Sequence, residues 1–190
     1  MESIDKKAAD ILERLKVLRT GHFSLTSGLH SDRYMQCAKL FENPLESEEL
    51  CSDLSKRFSD IDLVAGPAVG GIIMAYEVAR ALGVRNIFAE REGGKMTLRR
   101  EFSVSQGERV LIVEDVVTTG GSVKEVIDLL RESGAEIAGV GAIVDRSGGR
   151  VSFGVPFHAL ITTDVSSWKE EECPLCRDGV PLSKPGSRAV

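Results

Sequence analysis

The chain is 190 residues long, 42% hydrophobic and 28% charged, with a formal net charge of −5. That size fits one domain with a substantial core, and the acidic balance excludes general affinity for nucleic acid or acidic membrane surfaces, so any anion it binds needs a local site. No apolar run reaches membrane-spanning length, the amino terminus has no apolar signal region, and four cysteines beside an ordinary core point to a reducing cytoplasm rather than a disulfide framework.

In chain order, Ile4, Ala8, Ile11, Leu12 and Leu15 share one helical face, which predicts an amphipathic helix over residues 3–19, stopped at Gly21. The polar stretch from His22 to Gln36 holds Thr26, Ser27, His30 and Tyr34 without helical periodicity and reads as short strands and turns. A helix near 45–58 follows. From residue 61 strands and helices alternate: strand 61–65, helix 71–82, strand 86–90, strand 110–114, helix 121–133 and strand 137–144. Such alternation argues for an α/β fold with a central parallel sheet flanked by helices.

The turn after the first of these strands, Gly66 to Gly71, can turn backbone N–H groups toward an anion, with Ala68, Val69 and Gly70 as the candidate diphosphate loop. The plain alternative is an ordinary tight strand-to-helix connection. Residues 90–109 are long for a connection and lack apolar periodicity, which predicts a lid or a disordered segment. Its cations, Arg91, Lys95, Arg99 and Arg100, with Gly93 and Gly94 as hinges, are suited to a leaving diphosphate, or else form a solvated basic loop.

The most informative stretch is VLIVEDVVTTGGS at 110–122. An apolar run typical of a strand buried on both faces ends in Glu114 and Asp115, at the carboxyl end of a strand, where open α/β sheets bind ligands. Val116, Val117, Thr118, Thr119, Gly120, Gly121 and Ser122 then form a hydroxyl- and glycine-rich turn, a nest for an anion at the positive end of the next helix. Ser122 with Glu125 reads as a capping box, and Gly134 closes that helix. A terminal phosphate fits the turn and sugar hydroxyls fit the two acids, so the implied ligand is a ribose phosphate. The Lys-bearing phosphate loop and the dinucleotide fingerprint are both absent. At the next strand end, Arg146 offers forked donors to a carboxylate or paired carbonyls, or a salt bridge to Asp145 or Glu114. In the tail, Cys173 and Cys176 supply half of a tetrahedral zinc site; zinc shared across a dimer and a redox pair are the alternatives, but no second ligand cluster stands out, so the pair reads as incidental or structural. Trp168 is expected to pack the tail onto the domain.

Residues 114–122 resemble the phosphoribosyl pyrophosphate (PRPP) motif of type I phosphoribosyltransferases. The resemblance extends over roughly 20–150: Phe23, Leu25, Ser27, Gly28 and Ser31 match the hood pattern of the orotate phosphoribosyltransferases, followed in order by GPA at 66–68, EDVVTTGG at 114–121 and DR at 145–146. It implies the type I phosphoribosyltransferase fold in a single domain over 1–190, with a small hood at about 20–40, a core at about 60–165 and a tail at about 166–190. It also implies transfer of the phosphoribosyl group from PRPP to orotate with Mg²⁺, giving orotidine 5′-monophosphate and diphosphate in pyrimidine synthesis. By position, Glu114 and Asp115 hold the ribose hydroxyls, Val116 to Ser122 the 5′-phosphate, Thr118 and Arg146 contact orotate, and Arg91 and Lys95 act from a lid shared between the subunits of a homodimer. Many relatives carry lysines where Thr26 and Gly70 stand; His30, Lys39, Lys95 and Arg99 are the residues at hand to replace them. SGLHS and DRSGG favour orotate over a purine base, and a PRPP-sensing regulator would want a basic face or an added helix-turn-helix, neither of which is visible.

Overall fold

The computed structural model describes residues 4–25 and 28–185, the side chains of residues 4 and 5 excepted, so the readings placed on Ile4, Thr26 and Ser27 lie outside the described residues. Two sheets organise the chain. The larger has six strands in the order β5-β4-β3-β6-β7-β8, formed by β3 (Leu63–Pro67), β4 (Arg85–Glu92), β5 (Lys95–Leu98), β6 (Arg109–Val117), β7 (Glu136–Asp145) and β8 (Phe157–Thr162). All pairings are parallel except β4 with β5 at the edge. Helices α3 (Gly70–Leu82) and α4 (Gly121–Glu132) make the crossovers, and α1 (Ile4–Arg14) and α2 (Pro44–Ser55) complete the layers.

The apolar run of β6 explains the layering. Leu111 and Val113 join the cluster built with Leu12, Leu54, Met74 and Val78, whereas Val110 and Ile112 join the cluster built with Val126, Ile127 and Leu130. Side chains alternate across a strand, so an unbroken apolar run needs a helical layer on each face. Chain connection runs outward from β3 in one direction and from β6 in the other, which makes the gap between these two strands the topological switch point. β3 pairs with β6 only as far as Ala65 with Ile112, while β6 continues beside β7 to Val117 with Asp145. A crevice opens there, and Glu114 and Asp115 lie on the free edge of a strand that runs on past them, rather than at its end.

Three expectations need correction. The first helix ends at Arg14, not residue 19, and Gly21 lies inside β1 (Leu18–Ser24). Lys16 takes φ +54°, and the Val17 and Lys16 N–H groups donate to the carbonyls of Leu12 and Glu13, a helix-closing motif that commonly uses glycine. Buried Val17 beside Leu12 supplies the apolar contact that holds it. The capping box is not formed: Gly120 at φ +74° is the cap residue of α4 and makes no side-chain cap bond. Gly134 does close α4, at φ +91°. Finally, the segment after residue 90 is not an irregular loop at its start. β4 and β5 form a hairpin around Gly93 and Gly94, both at positive φ, as the two-residue turns that match strand twist require. Phe102 then packs edge-on against Phe88 at 5.2 Å, which holds the following residues to the sheet.

The second sheet, the hood, contains β1, β2 (His30–Met35) and β9 (Ser167–Trp168) in the order β1-β2-β9. Trp168 pairs with His30, so the tail packs by adding a strand to the hood. Further along, Ser183 bridges to Phe23 on β1.

Candidate active site

β6 and α4 build the anion nest. A cavity of about 60 Å³ is lined by Glu114 and by Val116 to Val123, too small for a nucleotide and sized for one tetrahedral anion. The first N–H groups of α4 have no partner within the helix and face this turn with the positive end of its dipole. Gly120 is fixed here twice over: its φ is left-handed, and a Cβ would stand 2.8 Å from the Phe153 ring. Thr118 and Thr119 are exposed at the rim, with Ser122 half-buried behind them.

Glu114 and Asp115 stand on the wall of the crevice. Burial, followed by the negative charge of Asp115, pushes the Glu114 carboxyl up to about 9. Asp115 Oδ1 accepts the Val116 N–H at 2.8 Å. Across the crevice the Gly66–Gly71 turn packs so closely on β6 that it needs its glycines: a Cβ on Gly66 would lie 2.5 Å from the Gly71 carbonyl oxygen, and one on Gly71 3.1 Å from that of Val113. The Ala68–Val69 peptide is cis. Of the three residues expected to hold diphosphate, Ala68 has its N–H engaged with the Ala89 carbonyl at 2.7 Å, while Val69 is largely exposed and Gly70 opens α3, where first-turn amides have no helical partner.

Arg146 follows β7, its N–H bonded to the Val117 carbonyl at 2.8 Å, which sets it beside the nest. Asp145 is not its ion-pair partner: the two carboxylate oxygens accept the Ser147 N–H at 2.7 Å and the Gly149 N–H at 3.0 Å and shape the turn instead. Arg146 Nε is buried and has no hydrogen-bond partner among the described residues. Burial also lowers its affinity for the proton. A guanidinium held this way is prepared for an anionic or carbonyl-bearing ligand.

The lid cations are placed differently from one another. Arg91 makes a forked bond to Glu125 of α4, at 2.6 and 2.8 Å, and also donates to the Gly94 carbonyl. Arg99 and Arg100 pair with Glu90. Lys95 has no ion pair among the described residues and lines a groove beside Glu125, Asp128 and Glu132. The hairpin thus carries Arg91 and Lys95 on one exposed turn, and of the two only Lys95 has an uncommitted charge. Lys39 lies in the short helix Cys37–Glu42. His30, the other residue weighed as a substitute for a missing lysine, faces the tail instead and meets His22, Cys173 and Cys176. That convergence corrects the reading of an unaccompanied Cys-x-x-Cys. The signal was present only as two histidines eight residues apart in a strand-forming segment.

Comparison with known proteins gives a consistent pattern. Residues 38–152 match the model of the phosphoribosyl transferase domain. The chain is 58% identical over 187 residues to an orotate phosphoribosyltransferase of Caldanaerobacter subterraneus subsp. tengcongensis, covering 97% of this chain and 98% of that protein. With the protein of the same name from Thermotoga maritima it shares 55% identity over 183 residues, 95% of this chain and 98% of that one. Among solved structures, orotate phosphoribosyltransferase from Aeropyrum pernix superposes with a TM-score of 0.69 at 26% identity, over 81% of this chain and 92% of the other.

Proposed function

The chain belongs to the orotate phosphoribosyltransferases, and from that premise we propose that it transfers the 5-phosphoribosyl group of PRPP to orotate, releasing diphosphate and giving orotidine 5′-monophosphate. The observation that carries the reading is half-buried Arg146, whose Nε is buried without a hydrogen-bond partner among the described residues, beside the anion nest at the end of β6. A flat pyrimidine carboxylate meets its forked donors, with Thr118 at the rim, while the 5′-phosphate occupies the amides of Val116 to Ser122. A purine base offers no carboxylate to that arginine.

The reaction breaks the bond between the ribosyl C1 and the diphosphate oxygen and forms a bond from C1 to a ring nitrogen of the acceptor, whose N–H proton passes to the departing diphosphate or to solvent. Positive charge grows on the sugar and negative charge on the leaving group. Asp115 accepts a ribose hydroxyl and lies on the side of the growing positive charge; Glu114, its carboxyl held toward the protonated form by burial, can donate to a ribose oxygen. The amides of Val69 and Gly70 face the diphosphate, and Lys95, with Arg91 once free of Glu125, closes over it and excludes water. Carboxylate and hydroxyl oxygens around the crevice suit Mg²⁺, which would be held largely by diphosphate and ribose oxygens that Glu114 and Asp115 orient. Bound there, Mg²⁺ supplies charge neutralisation of the leaving group.

We further propose a homodimer in which the hairpin of one subunit covers the crevice of the other. The exposed Ile73 and Tyr76, one turn apart on α3 and next to the Ala68–Gly70 turn, support a contact face there. Four unbonded cysteines are in keeping with action in a reducing cytoplasm, and no helix among the described residues is long and apolar enough to cross a membrane. The test is the loss of orotate absorbance on mixing. Loss that requires both PRPP and Mg²⁺ supports the reading. PRPP binding without turnover favours a sensor, and turnover with a purine in place of orotate overturns the acceptor.

A further inference from the structure

We propose that His22, His30, Cys173 and Cys176 form a closed tetrahedral zinc site that fastens the carboxyl-terminal segment to the hood sheet. One donor atom from each residue faces the others, and all four lie within 4.8 Å of one another. His22 Nε2 stands 3.1 Å from His30 Nδ1, 3.5 Å from Cys173 Sγ and 3.7 Å from Cys176 Sγ, and His30 Nδ1 stands 3.1 Å from Cys176 Sγ. Tetrahedral zinc with Zn–N of about 2.0–2.1 Å and Zn–S of about 2.3 Å separates its donors by roughly 3.3–3.8 Å, so the side chains are already close to the geometry the ion demands. Two imidazoles and two thiols select zinc over magnesium or calcium, and four protein ligands leave no open position, which marks the site as structural.

The surroundings fit the same reading. His22 Nδ1 lies 2.8 Å from the Val180 carbonyl, to which its N–H donates, leaving the Nε2 lone pair aimed at the cluster; metal-bound histidines are usually oriented in this way. His22, His30 and Cys173 are buried. Beyond the backbone bonds of Ser183 to His22 and Ser24, the tail is held by short elements. Helix α5 (Pro174–Arg177) is four residues long and buries none of its side chains, and β9 contributes only two residue pairs to β2. So short a helix is unstable alone, whereas metal ligation at its first turn fixes it without a core. The metal would lock β1, β2 and the tail together.

None of the four residues lines the cavity at Glu114 to Val123, and metal content is read without turnover. Full-length protein expressed with added zinc and dialysed should carry about one zinc per chain by elemental analysis, and exchange for Co²⁺ should give the intense absorption of a tetrahedral cobalt thiolate centre. Cys176→Ser and His30→Ala should each reduce bound metal to near zero, and chelation should lower the thermal midpoint and open Cys173 and Cys176 to alkylation. Should a variant fail to fold, the cobalt spectrum of the unaltered chain decides. A zinc-free protein after reconstitution, an octahedral cobalt spectrum, or a Cys173–Cys176 disulfide in protein prepared with reductant and zinc would each overturn the proposal.

Discussion

A Cβ placed on Gly70 would stand 2.8 and 2.9 Å from the two carboxylate oxygens of Asp115. The strand-to-helix turn on one side of the crevice and the acid on the other are therefore packed to the limit of contact, and the residue that closes the gap cannot carry a side chain while Asp115 stays where it is. Gly70 has no left-handed φ, so alanine is acceptable to the backbone and acts through this contact alone. Gly70→Ala is expected to displace Asp115 and weaken PRPP binding by roughly tenfold, about 1–2 kcal/mol, with the fold retained. Calorimetric titration with PRPP checks this, and unchanged affinity would remove Asp115 from the ribose site.

On the proposed reading Arg146 serves acceptor binding and not stability. Its buried Nε has no partner among the described residues, and its neighbour Asp145 is engaged by backbone amides. Removing one partner of a buried charged contact costs about 2–5 kcal/mol of binding, so Arg146→Ala should lower kcat/KM for orotate by about 30-fold or more while PRPP affinity survives. The same change should leave the thermal midpoint of the ligand-free protein equal or higher, because an unsatisfied buried group is lost. A fall in stability together with unchanged orotate kinetics would mark the residue as structural.

Glu114 gives the ligand-free protein a pH signature. Its folded-state carboxyl is raised from 4.5 to about 9, first by burial and then by Asp115. The folded state then binds more protons than the unfolded chain between those values, so this contribution is fully present below about 4.5 and is lost as pH rises toward about 9. Thermal melts of the ligand-free protein should therefore decline with rising pH across that window, and Glu114→Gln, which cannot ionise, should flatten the decline. A slope identical in the variant would assign the effect elsewhere.

What the sequence made legible is what local pattern controls. The apolar run at Val110–Val113 and the glycines at 120 and 134 placed β6 and α4 to within a few residues, because burial on both faces and left-handed caps leave local marks. The same pattern placed Glu114 and Asp115 on β6 and the glycine-rich turn ahead of α4. The end of α1 escaped because Lys16, not a glycine, adopts the left-handed turn; the packing of Val17 on Leu12 decides it. The hairpin at Gly93–Gly94 had a readable signal, two adjacent glycines between strand-capable residues, which the surrounding charges obscured. Glu125 was expected to cap its own helix and instead binds Arg91 from 34 residues away. His22 and Cys173 are 151 residues apart, and nothing short of the hood and tail coming together reveals that they meet.

The Arg91–Glu125 pair separates the two lid residues by experiment. Both side chains are substantially exposed, so the pair adds little to stability and can open when diphosphate competes for the guanidinium. Lys95 has no such competitor among the described residues. Lys95→Ala should therefore lower kcat by about 10²-fold, the usual effect of losing one donor to a developing anion, and Arg91→Ala by less than about tenfold. Glu125→Ala, which frees Arg91 without touching the crevice, should raise turnover a few-fold while leaving the thermal midpoint nearly unchanged. Steady-state kinetics on the three variants with saturating orotate and PRPP read these differences directly. Equal losses at both cations, with no response to Glu125→Ala, would mean that the ion pair is kept throughout the cycle and that Arg91 acts by holding the hairpin to α4.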